Sequence, residues 1–127
     1  MVGVLRTSIS VRGRSIKTET PSEGDWRLTT PRYQGEAYAA NVALVDEIEA
    51  LASTKSCTPA QLALAWVISR GEHVMPLMGT TKLEHLKSNL GSYDVELSDN
   101  EKMILNALAD RVIGDRYDER GMASING

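Results

Sequence analysis

Apolar residues recur at helical spacing through the middle of the chain. Val42, Val45, Ile48 and Ala52 follow one another at intervals of three or four residues, with acidic residues on the other faces. That pattern predicts an amphipathic helix of about five turns over residues 36–55.

The clearest helix start in the sequence is at Thr58. Thr58, Pro59 and Gln61 occupy the N-cap, first and third positions expected of a capping box. Residues 62–68 are apolar almost all round, so the helix must be covered on more than one side.

A short apolar run follows, bounded by glycines. Residues 73–78 lie between Gly71 and Gly79, which favours a short buried strand. Pro76 has no backbone N–H and is awkward in a central strand, so the predicted strand is kept short.

Two further helices are predicted. The first has an apolar face and ends at Gly91; its apolar residues are Leu83, Leu86 and Leu90. The second begins at Ser98, with Glu101 completing a capping box. Its predicted buried stripe consists of Ile104, Leu105, Leu108 and Val112.

These segments predict one partial domain in three parts. Residues 1–35 are irregular, with a long loop over 18–31. Residues 36–113 carry helix, helix, strand, helix and helix, and residues 114–127 form a tail along the surface. No internal repeat is present.

Composition excludes several classes of protein. The formal net charge is −3, whereas a nucleic-acid-binding domain is normally basic. One Cys and two His are too few for a zinc site, so no metal site is predicted. No apolar run approaches the roughly 20 residues that span a bilayer. We therefore expect a soluble cytoplasmic protein.

The N-terminal segment is basic. Arg6, Arg12, Arg14 and Lys17 alternate with Ser and Thr, and no acidic residue precedes Glu19. An organelle transit peptide has this composition, and so does a loop that grips a phosphate-bearing ligand or a solvated arm.

The candidate chemistry lies between the predicted strand and the third helix. Gly79, Thr80, Thr81 and Lys82 supply an open backbone, two hydroxyls and a cation where helix amides are unpaired and the helix dipole is positive. His85 and Asn89 follow Lys82 at helical spacing. This set suits a phosphate monoester. Alternatively, Thr80 or Thr81 is an ordinary N-cap beside a solvated Lys82.

Three stretches together resemble one enzyme family. They are residues 58–67, residues 76–91, and residues 25–36 with a further match at 114–117. All of them resemble the C-terminal part of the aldo-keto reductases, and the likeness runs from about residue 13 to 126.

The resemblance implies an α/β fold, namely the C-terminal fragment of a (β/α)8 TIM barrel that is mostly helical here with one or two short strands. It also implies an NADP-dependent oxidoreductase that reduces aldehydes or ketones to alcohols. The family positions of Gly79, Thr80, Thr81 and Lys82 surround the 2′-phosphate of NADPH, His85 replaces a phosphate-binding Arg, and Asn89 faces the adenine. Ser88 and Met78 depart from the family pattern.

The catalytic Asp, Tyr, Lys and His of the family belong to its N-terminal half, and no stretch of this chain resembles those motifs. No catalytic residue is predicted, and the isolated chain is expected to be inactive. A closed barrel needs about 250 residues. The resemblance therefore implies that the apolar helix beginning at Thr58 lacks a partner surface in this chain. The open alternatives are a truncated homologue that binds NADPH weakly or pairs with full-length subunits, and a plain helical domain without ligand. Self-association through exposed barrel surfaces is expected, with no nucleic-acid or membrane partner.

Overall fold

A computed structural model describes residues 23–24, 29–115 and 117–125. Helices dominate this part of the chain. The α-helices are α1 Gly35–Thr54, α2 Pro59–Ile68, α3 Leu83–Leu90, α4 Asp99–Asp110 and α5 Glu119–Ile125, and short 3-10 helices span Pro31–Tyr33 and Gly91–Asp94.

The first helix agrees with the predicted one. It ends at Thr54, where the backbone N–H of Lys55 donates to the carbonyls of Ala52 and Ser53. Ser56 then adopts φ 53°, in the left-handed region, which turns the chain towards α2. Val45, Ile48 and Ala52 are buried as their spacing predicts.

The capping box at the start of α2 is confirmed. The Thr58 hydroxyl accepts from the Gln61 N–H at 3.2 Å, and the Gln61 side chain accepts from the Thr58 N–H at 2.9 Å. These two bonds satisfy amides that a helix start leaves open. They fix the direction in which α2 enters the core.

One apolar core joins α1, α2 and α4. Its buried members are Leu44, Ile48, Ala52, Leu62, Ala63, Trp66, Val67, Leu105, Leu108 and Ala109. The helix α2 also contacts α3 and the 3-10 helix Gly91–Asp94. Cover on several sides of α2 is therefore confirmed, and the expectation that this helix would lack a partner surface is wrong because α4 folds back over it.

The side chain of Asn106 ties α4 to the end of α2. Its carbonyl oxygen accepts from the Trp66 indole N–H at 2.9 Å and from Arg70 at 2.8 Å. The Arg70 guanidinium lies 5.4 Å from the centre of the Trp66 ring, within cation–π range. The indole can thus be buried with its polar group satisfied.

Near the start of α1, the buried side chain of Asn41 bridges two segments that are distant in the sequence. Its amide donates to the Arg32 carbonyl at 3.2 Å and to the Ile113 carbonyl at 2.8 Å. Its oxygen accepts from the Ile113 N–H at 3.0 Å. The entry into α1 and the exit from α4 are held together by this one amide.

The start of α4 combines a cap with an ion pair. The Ser98 hydroxyl accepts from the Glu101 N–H at 3.3 Å, which confirms the second predicted capping box. The Glu101 carboxylate accepts from the Ser98 N–H at 2.7 Å and from Lys55 at 2.9 Å. Because Lys55 follows α1, this carboxylate joins the two helices.

The predicted buried strand at 73–78 is not formed. The described residues contain no strand, and this segment has no neighbouring strand there with which to build a ladder. Met75 and Leu77 are 81% and 76% exposed, so the segment is not buried either. An apolar run between two glycines is therefore compatible with an exposed, unpaired segment as well as with a buried strand.

The apolar faces of α3 and α4 also differ from expectation. Leu83, Leu86 and Leu90 are exposed, because α3 leans on α2 by another side. In α4, Leu105 and Leu108 are buried as predicted, whereas Ile104 is 41% exposed.

The predicted surface tail contains a helix, α5. The Asp118 carboxylate accepts from the Gly121 N–H at 2.9 Å, a bond typical of an N-cap. Glu119 adds an acidic residue to the first turn. Asp118 and Glu119, which lie in the predicted surface tail, are thus the start signal of a short helix.

Candidate functional site

The predicted phosphate site lies at the start of α3. Thr80 turns its hydroxyl back to accept from the Lys82 N–H at 3.2 Å, and Lys82 is the N-cap residue with no side-chain cap. The predicted alternative, Thr80 or Thr81 as N-cap, is wrong because the helix begins one residue later. The first amides of α3 therefore come directly after the turn 79–82 and have no partner within the helix.

Three of the predicted residues follow one side of this helix. Lys82, His85 and Asn89 are separated by three and four positions, which places them on neighbouring turns. Lys82 is exposed, whereas His85 and Asn89 are partly buried. The polar side of α3 thus lies nearer the body of the protein than its leucines do.

Space in front of the turn is open. A methyl group built on Gly79 would meet no other atom within 4 Å, and Gly79, Thr80 and Thr81 are exposed. A ligand could therefore approach the backbone here. The arrangement offers helix amides, two hydroxyls and an ammonium group, which are the donors that a phosphate monoester accepts from.

The charges around the helix start are mixed. Lys82 is cationic, and the helix dipole adds partial positive charge at this end. Glu84, in the first turn, offsets part of that charge, and Lys87 lies in the last turn. Anion binding here would depend on close contacts with the donors rather than on a strong overall field.

A residue that the sequence analysis assigned only to a cap also holds α3 in place. The Gln61 side-chain amide donates to the Ser88 carbonyl at 2.7 Å, across the contact between α2 and α3. A Cβ at Gly91 would lie 2.6 Å from that amide nitrogen, so a larger residue there would displace the end of the Gln61 side chain. In the sequence, the capping box already accounts for a glutamine at position 61. No sequence signal indicates its second hydrogen bond, to the Ser88 carbonyl.

The only cysteine lies in a different depression, of about 550 Å³, beside the pair Lys55–Glu101. Burial raises the pKa of the Cys57 thiol, and nearby Lys55 only partly opposes that effect. A raised pKa keeps the sulfur protonated at neutral pH, so Cys57 is not an activated nucleophile.

A second open depression, of about 620 Å³, lies beyond the end of α2. It is lined by His73, Val74 and Tyr93 among others. Its lining is mostly apolar, and it does not include the residues of the turn 79–82. Neither depression coincides with the predicted phosphate site.

Two further features of the described residues concern metal binding and membrane insertion. No cluster of three or more His, Cys, Asp or Glu side chains there has a geometry suited to a metal ion. Within the same residues, no helix combines the length and hydropathy needed to cross a bilayer.

Comparison with known proteins agrees with the resemblance. The model of the aldo/keto reductase family matches residues 7–110. The aldo-keto reductase yakc of Schizosaccharomyces pombe, which is named for NADP(+), is 40% identical over 97 residues. That match covers 75% of this chain and 28% of the relative, so the chain spans less than a third of its length. No solved structure matches. Since the family model covers most of the sequence, the chain belongs to the aldo/keto reductase family.

Proposed function

We propose that the chain carries the NADP-binding clamp of an aldo-keto reductase that reduces aldehydes or ketones to alcohols. The observation that carries this proposal is the start of α3. There the turn 79–82, shaped by the Thr80–Lys82 bond, opens into helix amides next to a cation. Membership of the family and the NADP(+) in the name of the yeast relative support the choice of ligand.

In the proposed clamp each residue has a distinct role. Backbone N–H groups of the first turn and the hydroxyls of Thr80 and Thr81 donate to the 2′-phosphate, with Lys82 neutralising its charge. His85 borders the same phosphate, and Asn89 offers an amide to the adenine edge. Gly79 keeps the approach open. Because NADH lacks the 2′-phosphate, this set favours NADPH.

Hydride chemistry would come from the nicotinamide of NADPH. Proton transfer to the carbonyl oxygen requires an acid that we do not assign to any residue of this chain. We therefore expect the isolated 127-residue chain to bind NADPH without reducing aldehydes. Turnover of a panel of aldehydes by the purified chain would contradict that expectation.

A titration with NADPH and NADH tests the clamp. NADPH should bind more tightly, and NADH should bind weakly. Lys82→Ala and His85→Ala should each weaken NADPH by about tenfold, since each removes a charge-assisted contact of about 1.5–3 kcal/mol that solvent partly screens. Binding measured by calorimetry would reveal these differences.

Lys87→Ala is the matched control, because it removes an exposed cation from the last turn of the same helix. Its NADPH affinity should stay within about twofold of the parent protein, as expected for a screened charge. Equal affinity for both nucleotides would contradict the 2′-phosphate assignment. Equal losses from Lys82→Ala and Lys87→Ala would show attraction by net charge only.

One observation favours a second function, that of a non-catalytic homologue which pairs with other subunits. Nine large apolar side chains of the described residues are exposed, and five of them lie between residues 75 and 90. The two proposals differ in an assay of the chain mixed with a full-length aldo-keto reductase. Co-elution without NADPH binding would favour the pairing function alone.

A further inference from the structure

Gln61 forms hydrogen bonds with both ends of its side-chain amide, and each end serves a different helix. Its oxygen accepts from the Thr58 N–H at 2.9 Å, which caps the start of α2. Its nitrogen donates to the Ser88 carbonyl at 2.7 Å, in the last turn of α3. The last carbonyls of a helix lack the usual intrahelical partner, so this second bond caps the end of α3. One side chain therefore joins the beginning of α2 to the end of α3.

The second capping box of the chain shows why an amide suits position 61. Glu101 holds the same third position in α4, and its carboxylate accepts both from the Ser98 N–H and from Lys55. Either glutamate or glutamine completes such a box. The outer neighbour of Glu101 is a donor, whereas the outer neighbour of Gln61 is a carbonyl, which a carboxylate cannot satisfy. The residue type at position 61 thus fits the contact with α3 as well as the cap.

The two ends of α3 are held differently. At its end, the helix runs into the 3-10 helix Gly91–Asp94, which packs on α2 and in which Ser92 is buried. Within the part of the chain that the structure describes, the Gln61–Ser88 bond is the only side-chain hydrogen bond between α3 and another helix. At its start, the hydrogen bond in the turn 79–82 is local. The polar contact that fixes α3 against its neighbour is therefore at its C-terminal end.

Asn89 comes directly after Ser88, next to this contact, whereas the turn 79–82 lies at the other end of the helix. At a rise of about 1.5 Å per residue, Lys82 and Asn89 are about 10 Å apart along the helix axis. A tilt of α3 about the turn would therefore move Asn89 more than it moves the phosphate donors. We propose that Gln61 is a positioning residue of the nucleotide site, which holds Asn89 at the adenine and thereby favours adenine over other bases. This inference rests on the proposed function, because it concerns the same nucleotide.

Gly91 leaves space for the contact. A Cβ built on Gly91 would lie 2.6 Å from the Gln61 amide nitrogen and 3.7 Å from the amide carbon. Gly91 has φ −61°, in the right-handed helical region that other residues adopt without strain. Gly91→Ala would thus keep the backbone conformation and push the end of the Gln61 side chain away from Ser88.

The first experiment compares two probes that share a 2′-phosphate and differ in the base, adenosine 2′-monophosphate and cytidine 2′-monophosphate. Calorimetry with the full chain should show tighter binding of the adenosine probe. Gln61→Glu keeps the oxygen that caps α2 and loses the donor to Ser88. It should lower the preference for adenosine by about three- to tenfold, as expected when one neutral hydrogen bond is lost. The ratio of the two affinities is the readout, since the added charge alone would weaken both probes alike.

Thr58→Ala is the matched control at the same helix start. It removes the hydroxyl that accepts from the Gln61 N–H and leaves both hydrogen bonds of the Gln61 side chain in place. Its melting temperature should fall because a cap is lost, while its preference for adenosine should equal that of the parent chain. If Gln61 acted only through the stability of α2, Thr58→Ala would lower the preference as well.

Gly91→Ala tests the contact from its other side. It should lower the preference for adenosine in the same direction as Gln61→Glu, and it decides the matter by itself if circular dichroism shows that Gln61→Glu does not fold. Because Gln61 acts through Asn89, the double variant Gln61→Glu with Asn89→Ala should lose no more preference than Asn89→Ala alone. Additive losses would contradict that route.

The outcomes separate this inference from the proposed function. A parent chain that binds neither NADPH nor the two probes would overturn both. A parent chain that prefers NADPH to NADH but binds the two probes equally would contradict the role of Gln61 and leave the 2′-phosphate assignment standing. An unchanged preference for adenosine in Gln61→Glu and in Gly91→Ala would show that Gln61 serves only as a cap.

Discussion

The three-helix core and the segment from Glu72 to Asp94 are built from similar residues in different surroundings. In the core, formed by α1, α2 and α4, leucines such as Leu62 and Leu105 are fully buried. In the 72–94 segment, Leu77 and Leu83 are 76% and 66% exposed. The difference shows that apolar spacing specifies a face of an element, whereas burial depends on whether another element covers it.

The two regions also differ in how their helices begin. Both α2 and α4 have reciprocal capping boxes, while α3 begins at Lys82 without a side-chain cap. A helix start without an internal cap keeps amides available for an external anion. The candidate site therefore lies in the region with fewer internal bonds, which is where binding segments are commonly found.

The largest expected effect comes from the core. Leu105→Ala should lower the free energy of unfolding by about 2–5 kcal/mol. The Leu105 side chain is fully buried, so its truncation leaves a cavity in the core. Met103→Ala on the same helix should change it by less than about 0.5 kcal/mol, as exposed substitutions usually do. Urea unfolding followed by circular dichroism measures both. Similar losses would contradict the assignment of Leu105 to the core.

Asn41→Ala should have the next largest effect. It leaves the Arg32 and Ile113 backbone groups without their partner, at a cost of about 1–3 kcal/mol. Asn100→Ala, an exposed amide near the start of α4, serves as the control. Thermal unfolding should separate the two variants clearly. Coincident melting curves would show that the bridge contributes nothing to stability.

The Glu101 carboxylate predicts a dependence on pH. Hydrogen bonds from Lys55 first, and then from Ser98, lower the pKa of Glu101 from 4.5 to about 2. A pKa lowered by folding gives stability that is complete above pH 4.5 and is lost as the pH falls towards 2. The loss should be on the order of 1–2 kcal/mol for a carboxylate that is partly exposed.

Glu101→Gln should reduce the loss of unfolding free energy as the pH falls below 4.5. Glu84→Gln, on the exposed surface of α3, should leave that loss unchanged. Urea unfolding at several values between pH 5 and pH 2.5 provides the measurement. If the slope is the same in Glu101→Gln and in the parent chain, the acid sensitivity arises from other carboxylates.

The smallest expected effects compare two threonine hydroxyls. Thr58→Ala removes the cap of a buried helix and should cost about 1 kcal/mol. Thr80→Ala removes the bond to the Lys82 N–H in an exposed turn and should cost less than about 0.5 kcal/mol. Equal losses of unfolding free energy would show that the turn 79–82 is held as tightly as the start of α2.

Local signals in the sequence predicted the first four α-helices, whereas α5 was missed. The capping boxes at Thr58 and Ser98, and the spacing from Val42 to Ala52, each concern neighbouring residues, and helix formation depends on such short-range interactions. Long-range features were missed. Nothing in the spacing indicates that Gln61 would reach Ser88, or that Asn41 would bind Ile113.

The candidate site was predicted in part for the same reason. The turn 79–82 and the positions of His85 and Asn89 are local, and the structure places them together on α3. The predicted strand before the turn depended on a partner that spacing could not supply. The four basic residues of the N-terminal segment, Arg6, Arg12, Arg14 and Lys17, lie outside the described residues, so the three interpretations of that segment stay predictions.

The bridge made by Asn41 has a consequence for the order of events during synthesis. Its partner Ile113 follows it by 72 residues, so the bridge closes a ring that includes α2, α3 and α4. Most of the chain must leave the ribosome before this ring can close, and the entropy of closing so large a loop must be met by contacts formed earlier. The start of α1 is therefore made among the first parts of the described chain, and it acquires its final partner among the last.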